Sequence, residues 1–220
     1  MMFFFTIGLS LAIFSSVIFT WSSPFLTTSL LVLILFAQLF FWPPPRTALV
    51  MGVAALLGTP AEIVEVALGE WQYHGTHLIF GVPMWIPLIW ANLFGLFGRL
   101  AMLGGLWIQN STFYLWLTRF IVLFCVICVV LMNKQPVVIA LYIFFLLLGI
   151  AFWNQSKDKM LFLFGGVLGA FGEYVAIQLG YWHYYNPFFQ SLGVDITLPL
   201  DWGLSAVIIH RIADYSFTKK

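Results

Sequence analysis

Eight apolar stretches, each close to the length of a bilayer-crossing helix, follow one another along this chain with short connections between them. They cover residues 3 to 21, 25 to 42, 47 to 69, 83 to 103, 113 to 133, 136 to 153, 160 to 182 and 196 to 216. An apolar helix of roughly 20 residues crosses the hydrocarbon core, because lipid offers the backbone no hydrogen bonds and a helix supplies its own. The 220 residues are 62% hydrophobic and 8% charged, where a soluble domain carries about a quarter charged residues to wet its surface. The pattern predicts an all-α, polytopic integral membrane protein with about eight transmembrane helices. The first stretch lacks a basic start and a small-residue cleavage site, so it reads as a retained helix.

Charge orients the expected helices. Of the nine Lys and Arg residues, Arg46, Arg99, Arg119, Lys157, Lys159, Arg211, Lys219 and Lys220 share one side if the N-terminus is cytoplasmic, and Lys134 alone falls opposite. Basic residues near helix ends stay in the cytoplasm during insertion, which places both termini inside, in a prokaryotic inner or plasma membrane. Glu62, Glu65, Glu70, Glu173, Asp195 and Asp201 then lie toward the outer side.

The chain also repeats itself. At an offset of 111, Gly58, Glu62, Val64, Leu68, Gly69, Trp71 and Tyr73 fall on Gly169, Glu173, Val175, Leu179, Gly180, Trp182 and Tyr184. At an offset of 112, Gly81, Val82, Pro87, Leu88, Trp90, Arg99 and Ala101 fall on Gly193, Val194, Pro199, Leu200, Trp202, Arg211 and Ala213. The reading is two tandem four-helix repeats, 1–108 and 109–220, in parallel orientation because four is even. Parallel repeats are commonly related by an axis along the membrane normal, which would turn the duplicated motifs toward each other.

Within the motif, Glu62 and Glu173 carry the strongest functional signal, since a carboxylate well inside a span costs several kcal/mol unless it is paired, protonated or wetted. A structural alternative stands beside it: each Glu hydrogen-bonds a tryptophan N–H of the partner helix, Trp90 or Trp202, and locks the repeat. The Trp-x-Tyr pairs, Trp71/Tyr73 and Trp182/Tyr184, suit the headgroup region by their amphipathic rings alone, and Arg99 and Arg211 suit snorkelling anchors. The copies differ at two places. Glu65, on the face of Glu62, has Ala176 as its counterpart, and Asp201 has Ile89. An embedded carboxyl pair facing a lone Asp would keep at least one proton near neutral pH, which makes a usable general acid. Aromatic faces at the same level, Trp85, Trp90, Trp182, Tyr184, Tyr185 and Trp202, can stabilise a cation.

The acidic helix, Gly-x-Trp-x-Tyr, the outer loop and the return from Gly81 to Trp90 resemble small polytopic enzymes of isoprenoid metabolism. These are the heterodimer-type lycopene cyclases, the carotenoid hydratases of the bacterioruberin type and, more distantly, the membrane terpene cyclases. The resemblance covers roughly residues 56 to 101 and 167 to 213. Where the cyclases carry Pro-x-Glu-Glu, this chain has Pro87-Leu88-Ile89-Trp90 and Pro199-Leu200-Asp201-Trp202. It implies a cofactor-independent lyase or isomerase that protonates a carbon–carbon double bond of a lipophilic isoprenoid or carotenoid-like lipid, the cation being quenched by ring closure or water. On that footing Asp201 is acid or cation partner, Glu62 and Glu65 are the opposing pair, and Glu173 is the repeat equivalent. Trp71, Tyr73, Trp85, Trp90, Trp182, Tyr184 and Trp202 then form the substrate walls.

A small proton-coupled transporter or channel is the rival, because parallel repeats and embedded carboxylates suit it too; a homodimer would supply the helices that 220 residues lack. Against it, the acids gather toward one face and no polar residue is read as continuing the path through the inner half. A zinc-type reading draws on His74, His77, Glu70, His183 and Asp195, without motif spacing or duplication between repeats. Cys125 and Cys128 read as packed core thiols, and the sequon at Asn110 falls on the cytoplasmic side. Neither a phosphate loop nor a basic patch is present, which argues against nucleotide chemistry and nucleic-acid binding.

Overall fold

A computed structural model describes residues 2–42, 44–75, 78–107, 111–131, 136–152, 156–187, 189 and 191–218. Each expected span is a helix: α1 (Met2–Thr20), α2 (Pro24–Phe41), α3 (Pro44–Ala67), α4 (Ile86–Trp107), α5 (Ser111–Leu131), α6 (Pro136–Phe152), α7 (Ser156–Gln178) and α8 (Leu198–Thr218). Pro24–Phe41, Arg46–Ala67, Ile86–Gly104 and Ser156–Gln178 are long and apolar enough to cross a membrane. Large apolar side chains point outward from the bundle, as at Phe19 (81% exposed), Phe40 (83%) and Leu56 (74%). Such a surface needs an apolar solvent.

The expectation of a wholly helical chain is refined at the connections after α3 and α7. Two short strands, β1 (Trp71–Tyr73) and β4 (Trp182–Tyr184), pair antiparallel with Gln72 opposite His183; β2 (Leu78–Ile79) and β3 (Val82–Pro83) form a small hairpin. Trp71, Tyr73, Trp182 and Tyr184 therefore sit on strands and not on helix ends, and the span expected to reach residue 182 stops at Gln178. The cause is local. Gly69 and Gly180 both take φ of +74°, where a side chain would be strained, and the amides after each close back onto the last turn, Glu70 on Glu65 at 3.0 Å and Tyr181 on Ala176 at 3.0 Å. This glycine cap ends a helix and turns the chain outward. The aromatic residues that follow favour a strand, and pairing across the halves satisfies backbone groups that α3 and α7 no longer serve.

Beneath this ribbon α3, α4, α7 and α8 form the core, α3 against α4 and α7 against α8, with α4 on α7 and α3 on α8. Helices α1 and α2 rest on α4, and α6 rests on α8. At the end opposite the ribbon, Asp214 joins Arg46 of α3 and Lys157 of α7, while Arg211 holds Asp158.

Candidate functional site

The site grows from a spacing of four. Gly58 and Glu62 lie one turn apart on α3 and therefore on one face. A Cβ on Gly58 would stand 2.0 Å from Cδ2 of Trp90, so the glycine is the notch that lets the α4 indole lie flat on α3. From that notch Trp90 donates its N–H to Glu62 Oε1 at 3.2 Å. The other carboxyl oxygen is reached from above: β1 alternates its side chains, which turns Trp71 and Tyr73 to the same side, and the Tyr73 hydroxyl donates to Glu62 Oε2 at 2.7 Å. Burial pushes the Tyr73 phenol well above its ordinary range, which keeps it a donor.

The second half builds the same triad. A Cβ on Gly169 would lie 2.2 Å from Cγ of Trp202; Trp202 donates to Glu173 Oε1, and Tyr184 donates to Glu173 Oε2 at 2.7 Å. The indoles of Trp71 and Trp182 stand beside Glu62 and Glu173 respectively. All these donors are neutral phenols and indoles. They satisfy both oxygens of each carboxyl group without bringing a counter-charge to it.

The triads meet face to face. Trp90 and Trp202 stack with centroids 5.1 Å apart and planes 15° from parallel. Above them the strand register sets Trp71 against Tyr184 at 5.5 Å and Tyr73 against Trp182 at 5.3 Å. At the tip, His74 meets His183 at 2.7 Å, and the Tyr185 hydroxyl donates to Gln72 at 2.7 Å. A partly open cavity of about 60 Å³ lies beside the stack and reaches both Glu62 and Glu173. That is well below the several hundred Å³ that encloses a whole drug-sized ligand, and it suits a pair of waters or the tip of a hydrocarbon chain.

Of the residues singled out from the sequence, Glu62, Glu173, Tyr73, Trp85, Trp90, Trp182 and Trp202 line this cavity. Glu65, Asp201, Trp71 and Tyr184 do not. Glu65 and Asp201 instead sit within electrostatic reach of each other on the α3–α8 side. Their repeat counterparts, Ala176 and Ile89, are in the cavity wall. The cavity and the Glu65–Asp201 face are thus the two versions of one duplicated place.

Sequence reasoning missed the α1 wall, Phe14, Val17 and Ile18, since nothing marks those residues in an apolar helix. It also missed three buried polar residues. Gln38 and Asn92 are fully buried and bonded at 2.8 Å, and His210 is 4% exposed against the Phe94 carbonyl at 2.9 Å. The expectation of an inner half without polar residues is corrected to that extent: each of these residues hydrogen-bonds a neighbour, as an embedded polar residue must, while the Gln38 Oε1 is buried without a partner among the described residues.

Among the described residues no three potential metal ligands gather, and Asp195 is engaged by the amide and hydroxyl of Thr197 at 3.0 and 2.9 Å. His77 and Asn110 lie outside the described residues. Cys125 and Cys128 are buried free thiols, Cys128 against the Ile196 carbonyl. No protein-family model matches the chain, and neither a curated protein nor a solved structure does.

Proposed function

We propose that the chain is a membrane enzyme of eight spans, two tandem four-helix units inserted in the same sense with both termini cytoplasmic. It acts on the double bond of a lipophilic isoprenoid or carotenoid-like lipid by carboxylic-acid protonation. The observation that carries this reading is the pair of buried carboxyls, Glu62 and Glu173, opening on one small cavity beside the stacked Trp90 and Trp202. A neutral acid beside an alkene can transfer its proton to one alkene carbon, leaving a carboxylate and a cation on the other carbon. The cation lies against indole faces, which attract positive charge. Loss of a neighbouring proton back to the carboxylate gives a double-bond isomer; attack on the cation by a second double bond of the same chain, followed by that proton loss, gives a ring; and attack by one water followed by proton return gives an alcohol. No external oxidant or reductant is needed. Glu65 and Asp201 lie outside the cavity and take no part in this step.

The four-helix duplication is supported by paired contacts beyond the triads. Gly149 of α6 takes the side chain of Leu204 where Gln38 of α2 meets Asn92 of α4, and Arg46 and Lys157 open α3 and α7. Against transport, the fully buried Phe94 and Phe97 pack on Trp202 and fill the core beneath the carboxyls. His210, bonded just under Phe94, is the observation that favours a proton pathway.

The test expresses the full chain with polyprenyl and carotenoid precursors and follows lipid extracts by mass spectrometry. An isomeric or hydrated product is expected, falling by about 10²-fold or more in Glu62→Gln or Glu173→Gln, the scale of a lost general acid. Loss in Asp201→Asn alone would move the acid to the Glu65–Asp201 face. An unchanged lipid profile, with proton flux in vesicles abolished by His210→Leu, would sink catalysis in favour of transport.

A further inference from the structure

The cavity is closed at its two ends by different means. On the ribbon side Trp21, in the turn after α1, lies flat on Tyr181 with centroids 4.4 Å apart and planes 2° from parallel. It also meets Trp85 edge-on at 5.2 Å and Trp182 at 5.7 Å, two rings that line the cavity below. The Trp21 N–H donates to the His74 carbonyl at 2.9 Å, and the Tyr181 hydroxyl donates to the Ile18 carbonyl. The end of α1 is therefore bonded to segments of both halves, with four aromatic rings across the outer mouth. At the opposite end Phe94 and Phe97 fill the core.

The side is built differently. There the wall is the α1 face of Phe14 and Val17 opposite Gly172 and Ala176 of α7. The two helices approach where the Phe14 ring lies on Gly172, 2.4 Å from where a Cβ would stand. The same two helices carry exposed apolar side chains, Leu11 on α1 (63% exposed) and Val167 and Phe171 on α7 (57% and 59%). Water gains nothing from such surfaces, and lipid chains do.

Resting on the catalytic reading above, we propose that the cavity is entered from the bilayer between α1 and α7 by the branched apolar end of an isoprenoid chain, with Trp21 as the seal against outer water. The small volume fits this occupant, since the chain end alone lies inside and the remainder stays in lipid. A seal at Trp21 limits quenching of a cation to the water the cavity already holds.

Two measurements on the full chain in phospholipid vesicles test the route and the seal. A polyprenol carrying a diazirine on its terminal isoprene unit is irradiated in the membrane and the adducts are mapped by mass spectrometry. Adducts are expected at residues 14–18 and 169–176, lost in Val17→Trp, which fills the slot, and retained in Trp21→Ala. Adducts confined to outward residues such as Phe25 and Phe120, or unaffected by Val17→Trp, would overturn the route. Hydroxyl-radical footprinting reads the seal: Trp85 and Trp182 should oxidise slowly in the unaltered chain, rapidly in Trp21→Ala, and slowly again in Trp21→Phe. Equal oxidation in all three would overturn it. Neither readout needs turnover, so a chain that labels as expected without converting the polyprenol leaves the route standing while the catalytic reading falls.

Discussion

In the first half α2 is tied to α4 by amides: Gln38 donates to the Asn92 side chain at 2.8 Å, and Asn92 donates to the Leu88 carbonyl at 2.8 Å and the Leu31 carbonyl at 3.1 Å. At the positions 111 and 112 residues further along, the contact is apolar, Gly149 of α6 receiving a methyl of Leu204 of α8. Yet both halves present an identical Glu–Tyr–Trp triad to the centre. The difference teaches that the centre tolerates one chemistry while the periphery tolerates two. Each triad must satisfy a buried carboxyl, and an acid left with neither of its donors is destabilised by more than the loss of one hydrogen bond. A peripheral helix in lipid can be held by a hydrogen bond or by close packing of small residues, which contribute similar amounts. The cavity obeys the same logic, with Ile89 and Ala176 on one side of the duplication and Asp201 and Glu65 on the other.

The hardest test of central equivalence is truncation of the stacked indoles. Trp90→Ala and Trp202→Ala should each destabilise the protein by about 3–5 kcal/mol, with matching shifts in thermal melts in detergent. A gap of several degrees between them would mean that one triad dominates. The peripheral contrast can be transplanted. Asn92→Leu alone should cost about 1–3 kcal/mol by stranding the buried Gln38 amide, and adding Gln38→Gly, which writes the second half's pair into the first, should recover part of it. If the double variant melts below the single one, the two contacts are not interchangeable.

Removing one hydroxyl at a time is gentler. Tyr73→Phe and Tyr184→Phe should each lower stability by about 1 kcal/mol, since the carboxyl keeps its tryptophan donor. The smallest effect belongs to the far end, where Arg46, with its side chain 47% exposed, meets Asp214 across the halves. Arg46→Gln should cost under about 1 kcal/mol, and the cost should vanish at high salt. A larger effect that survives salt would show that this pair and not the aromatic centre holds the halves together.

Eight helices and their order were legible because an apolar run of bilayer length has one way to satisfy its backbone in lipid. A bond from Trp90 or Trp202 to the repeated glutamates was legible as an alternative, because a buried carboxyl needs a donor; which indole serves which Glu was decided by the packing of Trp90 on Gly58 and of Trp202 on Gly169. The β1–β4 ribbon was not, since Trp-x-Tyr after a helix reads equally well as an interfacial anchor. Tertiary pairing of the two halves decided it. Sequence periodicity likewise could not say that Glu65 and Asp201 stand apart from the cavity, or that α1 supplies its wall through Phe14 and Val17. Composition along one helix determines that it enters the membrane; which side chains share a cavity depends on how helices from both halves rotate against one another, and that is set by where glycines admit a neighbour's ring.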